Sequence, residues 1–249
     1  MENPQLYNSA NIYVFIEYIN TYYPEINISE VLEYASITEL EISDNAQWFT
    51  QEQIDRFYEI LERKTGNPNL AREAGRFTVQ SKSSDMLRQY TSGFVTPSVA
   101  YWMIGKIAST VSRHISIKTK YITGNKILIT ATPKEGITEK PYQCENRIGL
   151  FEALAKYFTN EYAQVEHDEC LHKQASSCKY IVSWKKTPAT IWKIISRYSS
   201  LLGAILIVVL LFLMPFKSWA IYALIIFLGS ALTFLVSEKL TNRDLSISV

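Results

Sequence analysis

All three cysteines and two of the three histidines of this chain fall within 35 residues, at Cys144, His167, Cys170, His172 and Cys178. Two residues separate His167 from Cys170, and seven separate Cys170 from Cys178. Thiolate and imidazole are the donors of tetrahedral Zn²⁺ sites, so the spacing points to one bound zinc ion. His167 and Cys170 can face an ion together from a turn or strand end. Cys178 would approach from the adjacent strand, and Cys144 from the segment before a helix. A closed four-ligand shell leaves no position for water, which makes the expected role structural rather than catalytic. His172 is the obvious substitute for His167, and Glu166 and Glu169 could add oxygen ligands. The plainer alternative is that buried free cysteines simply fill space.

Other chemistry is sparse. The chain has no Gly-x-Ser-x-Gly, no Gly-x-Gly-x-x-Gly and no Walker sequence, and its carboxylates form no evident pair. An enzyme is therefore the less favoured reading. Arg72 and Arg76 share a helical face beside Glu73, where they could bind an anion, pair with a Glu of a neighbouring helix, or form a solvated ion-pair face. The net charge is only +1, which argues against nucleic acid as a partner.

The elements that would position these groups follow from periodicity. Ile12, Phe15, Ile16 and Ile19 mark a helix over 9–22, and Asn27 with Glu30 caps a short second one. Thr50 and Gln53 open a longer helix carrying Ile54, Phe57, Tyr58 and Leu61, stopped by Gly66-Asn67-Pro68. Short helices are expected at 69–76 and 84–95, and Pro97 starts another that runs to about His114. From Ile115 the period becomes two, and Gly124-Asn125 turns a β-hairpin spanning 115–132. A helix over 145–160 is followed by two short strands, AQVEHDECL and CKYIVSW. The expected fold class is α+β, an antiparallel sheet packed with helices.

The C-terminal quarter differs. Nineteen uncharged residues lie between Arg197 and Lys217, and twenty between Lys217 and Glu238. Each run can cross a hydrocarbon core about 30 Å thick as a helix. Met214-Pro-Phe-Lys-Ser218 allows only a tight turn, so both flanks lie on one side. Lys185, Lys186, Lys193 and Arg197 argue that this side is the cytoplasm, and Trp192, Tyr198, Trp219 and Tyr222 sit where interfacial aromatics belong. No signal peptide is evident, and an odd number of cysteines suits a reducing compartment. The expectation is a two-span membrane protein with both termini cytoplasmic.

Three stretches carry a family likeness: WFTQEQIDRFYEILERKTGNPNLAREAGR, TPKEGITEKPYQCENRIGLFEA and HDECLHKQASSCKYIVSW. With them, residues 46–186 resemble the 4-vinyl reductase-type domain of aromatic-responsive bacterial regulators and of sensor modules ahead of histidine kinases and cyclases. The resemblance implies a zinc site built from a Cys, then Glu-x-x-Cys, then a Cys after seven residues. That pattern falls on Cys144, His167, Cys170 and Cys178, with His167 in place of the Glu. It also implies a fold shared with TRAPP tethering subunits, frequent dimerisation, and a hydrophobic ligand cavity. Tyr90, Phe94, Tyr101, Trp102 and His114 could line that cavity, although ordinary core is the commoner fate of such aromatics.

The resulting expectation is an N-terminal helical segment (1–45), a sensor domain (46–190), a transmembrane hairpin (191–237) and a cytoplasmic tail (238–249). The sensor would bind a small hydrophobic or aromatic molecule and pass the signal to a partner protein or a fused kinase or cyclase. The alternatives are a membrane adaptor, by analogy with the tethering subunits, and an accessory enzyme of the 4-vinyl reductase type.

Overall fold

The computed structural model describes residues 4–81, 96–186 and 188–246. Two compact units divide the chain, Met1–Trp184 and Lys185–Val249.

The first unit is α+β. A short strand β1 (Gln5–Asn8) leads directly into α1 (Ser9–Tyr22), whose first turn is capped by the Asn8 side chain accepting from the Ala10 N–H. Then come α2 (Ile28–Tyr34), α3 (Glu39–Ser43) and β2 (Trp48–Thr50), which pairs antiparallel with β1. The Thr50–Gln53 capping box opens α4 (Gln51–Thr65), and Gly66, at φ 61°, closes it in the left-handed region. Ile54, Phe57, Tyr58 and Leu61 of α4 are buried against α1 and α2 in an N-terminal core. β1, β2 and α3 lack the length for a clear period, and sequence reading passes over them.

A second core lies under a four-stranded antiparallel sheet. α5 (Leu70–Phe77) and α6 (Pro97–Val111) precede the hairpin of β3 (Ile115–Thr123) and β4 (Lys126–Pro133), turned at Gly124-Asn125. α7 (Pro141–Thr159), β5 (Gln164–Glu166), a single 3-10 turn (Leu171–Lys173) and β6 (Cys178–Ser183) complete the unit. The strand order is β3-β4-β6-β5. Ile127, Ile129 and Ala131 alternate with half-buried residues on β4, as do Cys178, Tyr180 and Val182 on β6, so one face of the sheet is core. Ala100, Tyr101 and Ile104 of α6, with Ile148, Phe151 and Leu154 of α7, cover that face.

Two glycines set the crossing of α5 and α7. A Cβ on Gly149 would lie 1.9 Å from the Arg72 carbonyl oxygen, and one on Gly75 would lie 2.1 Å from that of Asn146. Only hydrogen at both positions lets the two backbones touch.

Two boundaries differ from expectation for local reasons. α7 starts at Pro141, not near 145, because proline suits the first helical position and Lys140 N–H donates to Gln143 Oε1. Cys144 therefore sits in the first turn of a helix. The strand expected over AQVEHDECL shrinks to Gln164–Glu166, and the rest is loop. The helix expected at 84–95 lies outside the described residues.

The second unit holds α8 (Pro188–Leu213) and α9 (Phe216–Ser246). Ile194–Leu213 and Phe216–Leu240 are long and apolar enough to cross a membrane, with mean hydropathies of 2.1 and 2.2. Only 11% and 6% of these stretches is buried, which is not how a soluble protein treats a core helix. The two helices do touch: Trp219 Nε1 donates to the Ile207 carbonyl at 2.9 Å.

Candidate functional site

The fold brings Cys144, His167, Cys170 and Cys178 together, with one ligand atom from each lying within 4.8 Å of the others. The first turn of α7 supplies Cys144, the loop after β5 supplies His167 and Cys170, and the first residue of β6 supplies Cys178. Cys144 Sγ stands 3.6 Å from Cys178 Sγ, and Cys178 Sγ stands 3.9 Å from Cys170 Sγ. A metal–thiolate bond of about 2.3 Å in a tetrahedron places sulfurs about 3.8 Å apart, so the observed spacing suits a single ion. His167 stacks on Tyr180 with ring centroids 4.2 Å apart, and its Nε2 is buried with no hydrogen-bond partner. His172 is exposed on the 3-10 turn.

Charge in this cluster is unevenly held. Cys144 and Cys178 share a hydrogen bond in which either thiol can donate; it holds the Cys178 thiol below its ordinary value despite burial, with His167 and the Leu171 N–H adding to the effect. The same hydrogen bond, together with burial, pushes Cys144 up.

A buried polar chain runs on from the cysteines, and sequence reading missed it. Arg147, one helical turn after Cys144, reaches Cys144 Sγ at 3.5 Å and donates to the Tyr180 hydroxyl at 3.1 Å. It also forms a two-pronged pair with Glu139, both contacts at 2.7 Å. Glu139 accepts from His114 Nε2 at 2.8 Å, and Ser112 Oγ lies 2.6 Å from His114 Nδ1. Burial alone would raise the Glu139 carboxyl, but hydrogen bonds from His114 and Arg147 outweigh it and bring it down to about 2. Burial pushes His114 below its ordinary value, more than Glu139 restores. His114 is thus neutral near pH 7, donating from Nε2 and accepting at Nδ1. Tyr7 of β1 stacks on His114 at 4.4 Å, which joins the two cores. The one signal for this chain in the sequence is the i, i+3 spacing of Cys144 and Arg147 on a single helix face.

The residues expected to line a ligand cavity are scattered. Tyr101 is fully buried, donates to the Phe151 carbonyl at 2.6 Å and stacks on Trp184, so it is core. Trp102 points outward, 43% exposed, with Lys106 Nζ 5.5 Å above its ring. His114 belongs to the Glu139 chain rather than to a cavity wall. Tyr90 and Phe94 lie outside the described residues. Arg72 and Arg76 bind no free anion: both grip the buried carboxylate of Glu152 on α7, Arg72 through Nε at 3.2 Å and Arg76 through Nε at 2.6 Å.

An α+β sheet domain that gathers a Cys/His cluster at one sheet end, beside a helical N-terminal core, defines the class. No protein-family description and no curated protein matches the sequence. Solved structures do match, and they are H-NOX domains. An S. oneidensis H-NOX protein in its Fe(II) ligation state is 14% identical with a TM-score of 0.59, over 72% of this chain and 96% of that one. A mutant of T. Tengcongensis H-NOX is 18% identical with a TM-score of 0.58, over 73% and 99%. An oxygen-binding H-NOX domain related to soluble guanylate cyclases is 18% identical with a TM-score of 0.55, over 72% and 100%.

These matches establish the fold as that of H-NOX domains and overturn the 4-vinyl reductase and TRAPP resemblance. The local motifs were short helix and turn signatures that more than one α+β fold can use. The zinc cofactor, read from the ligand spacing and from that resemblance, is withdrawn, because a solved neighbour of this fold comes from work on heme distortion in the H-NOX family.

Heme, in turn, finds no free His or Cys donor in this chain. Axial iron ligands in heme proteins are drawn from His, Cys, Met and Tyr, and the first two can be accounted for in full. Of the three histidines here, His114 has both ring nitrogens engaged, His167 faces the thiols and His172 is exposed. All three cysteines are in the one cluster. No imidazole or thiolate is left to bind iron in an apolar chamber.

Proposed function

We propose that residues 4–184 form a sensory domain that binds a small hydrophobic molecule and passes the signal to a partner protein, or to a kinase or cyclase fused to it. The observation that carries this reading is the fold match over nearly the whole length of each H-NOX structure, one of which is described as related to soluble guanylate cyclases. The two apolar helices support a membrane tether with both termini in the cytoplasm. Cys144, His167, Cys170 and Cys178 are the metal-ligating set in this reading, and they hold the β5–β6 loop to α7. Association into a homodimer is part of the same proposal. No step in it runs through heme, since the His and Cys donors are spoken for.

A thermal-shift screen of apolar and aromatic compounds on the detergent-solubilised full chain tests sensing. A compound present at a hundred times its Kd raises stability by about 2.7 kcal/mol. Failure of every compound to raise Tm, with no small molecule co-purifying, would refute the sensory reading. The donor argument is tested separately, by absorbance of chain produced with heme precursor supplied. The expected spectrum has no Soret band, and one equivalent of bound heme overturns the argument.

A further inference from the structure

The outer stripe of α6 and the edge strand β3 form a rim with an unusual composition. From residue 96 to residue 134 the chain carries six basic residues, Lys106, Arg113, Lys118, Lys120, Lys126 and Lys134, and not one Asp or Glu. Four large side chains on it are turned outward: Val99, Trp102, Tyr121 and Ile122 are each between 39% and 49% exposed. The rim is continuous. Tyr121 donates to the Ser98 carbonyl at 3.1 Å, Ser98 Oγ donates to that of Gly124 at 3.1 Å, and Gly105 of α6 packs on Thr119. Ser98, Trp102 and Lys106 follow at i, i+4 and i+8 on one helix face. Lys118 and Lys120 are exposed on β3, whose outer edge pairs with no strand among the described residues. Lys126 is the member of the run that meets an acid, Glu166 at 3.5 Å.

The place where the chain leaves the domain is fixed to this rim. Trp184, the last residue of the first unit, donates its N–H to the Asn125 carbonyl at 3.1 Å, and Asn125 Nδ2 donates back to the Trp184 carbonyl at 2.8 Å. Lys185 and Lys186 follow, and the apolar stretch begins at Ile194. Nine residues, 185 to 193, lie between Trp184 and Ile194, and the stretch reaches at most roughly 35 Å when fully extended. The hairpin turn thus cannot stray far from the bilayer that would hold α8 and α9.

Trp and Tyr with flanking lysines are the side chains that settle at a head-group boundary, and basic residues near it are attracted by anionic lipid. We propose that the rim of Val99, Trp102, Lys106, Lys118, Lys120 and Tyr121 lies against the head-group surface of an anionic bilayer, fixing the orientation of the sensory domain on its membrane. This rests on the tether reading, and it goes further: a tether alone would leave the domain free to tumble.

The test uses the full chain reconstituted in phosphatidylcholine vesicles with and without roughly a third phosphatidylglycerol. Acetylation rates at single lysines are read by mass spectrometry, with Lys173, on the turn near the other end of the sheet, as internal reference. Anionic lipid is expected to slow Lys118 and Lys120 at least about fivefold relative to Lys173, with the slowing lost in high salt. In the Lys118→Glu/Lys120→Glu chain the slowing at Lys106 should vanish. If the chain resists alkaline carbonate extraction but Lys118 and Lys120 react equally fast in both vesicles, the rim proposal is overturned and the tether stands. If carbonate removes the chain, the tether fails and the rim proposal falls with it. Slowing that follows protein density rather than lipid charge would assign the rim to a second copy, and would also overturn it.

Discussion

Replacing Arg147 by Met tests whether the buried chain behind the cysteines is held by charge. The Glu139 side chain is fully buried and that of Arg147 is 11% exposed, so their paired contacts are almost dry. Met fills much of the Arg volume but leaves the Glu139 carboxylate facing only His114, which is neutral. Breaking a buried pair by removing one partner costs about 3–5 kcal/mol. At about 2–4 °C per kcal/mol for a domain of this size, Tm should fall by about 6–20 °C. The pH dependence should also reverse. In the natural chain Glu139 sits at about 2 against an ordinary 4.5, so the unfolded state binds more protons between those values. Its contribution, about 3 kcal/mol, is complete above pH 4.5 and is lost as pH falls toward 2. In the Arg147→Met chain the stranded carboxyl rises above 4.5, the folded state binds the extra proton, and stability is lost as pH rises. Adding Glu139→Gln removes the charge and should recover most of the loss. The assay is thermal unfolding by near-ultraviolet circular dichroism from pH 2 to pH 8. A loss below about 1 kcal/mol, additive single and double variants, or an unchanged sign of the pH slope would each refute this account.

Other expectations follow from single contacts. Gly149→Ala should lower Tm by several degrees, since helix propensity gains about 1 kcal/mol but the new Cβ must push α5 away, at about 1–3 kcal/mol or more. Gly229→Ala, with nothing within 4 Å of its Cβ, serves as the control that should not fall. Tyr101→Phe removes the buried hydrogen bond to the Phe151 carbonyl, which keeps its helical partner in α7, and should cost about 0.5–1.5 kcal/mol by denaturant unfolding. For the Cys/His cluster, elemental analysis of the purified chain should find about one equivalent of a transition metal, and chelation should lower Tm. Under half an equivalent, with all three thiols freely titratable, would leave the cysteines as packing.

Where short-range chemistry decides an element, the sequence was enough. Helices α1, α4 and α5, the Gly124-Asn125 hairpin and the two apolar runs were all legible, because caps, turn residues and periodicity act within a few positions. So was the membership of the Cys/His cluster, since soft ligands are rare enough for their spacing to carry information. Tertiary structure alone decided what surrounds them. For Arg72 and Arg76 the sequence left an anion, a Glu of a neighbouring helix and a solvated face open, and folding chose the second by bringing Glu152, eighty residues on from Arg72, beneath them. Glu139 and Arg147 drew no notice in the sequence and His114 was a candidate for the cavity; only folding makes them one buried chain. The family likeness failed for the same reason: local motifs are shared between folds, whereas strand order and helix crossing depend on contacts between distant residues. The two glycines at the α5–α7 crossing make the point most simply, since nothing near either one in sequence says that another backbone must pass there.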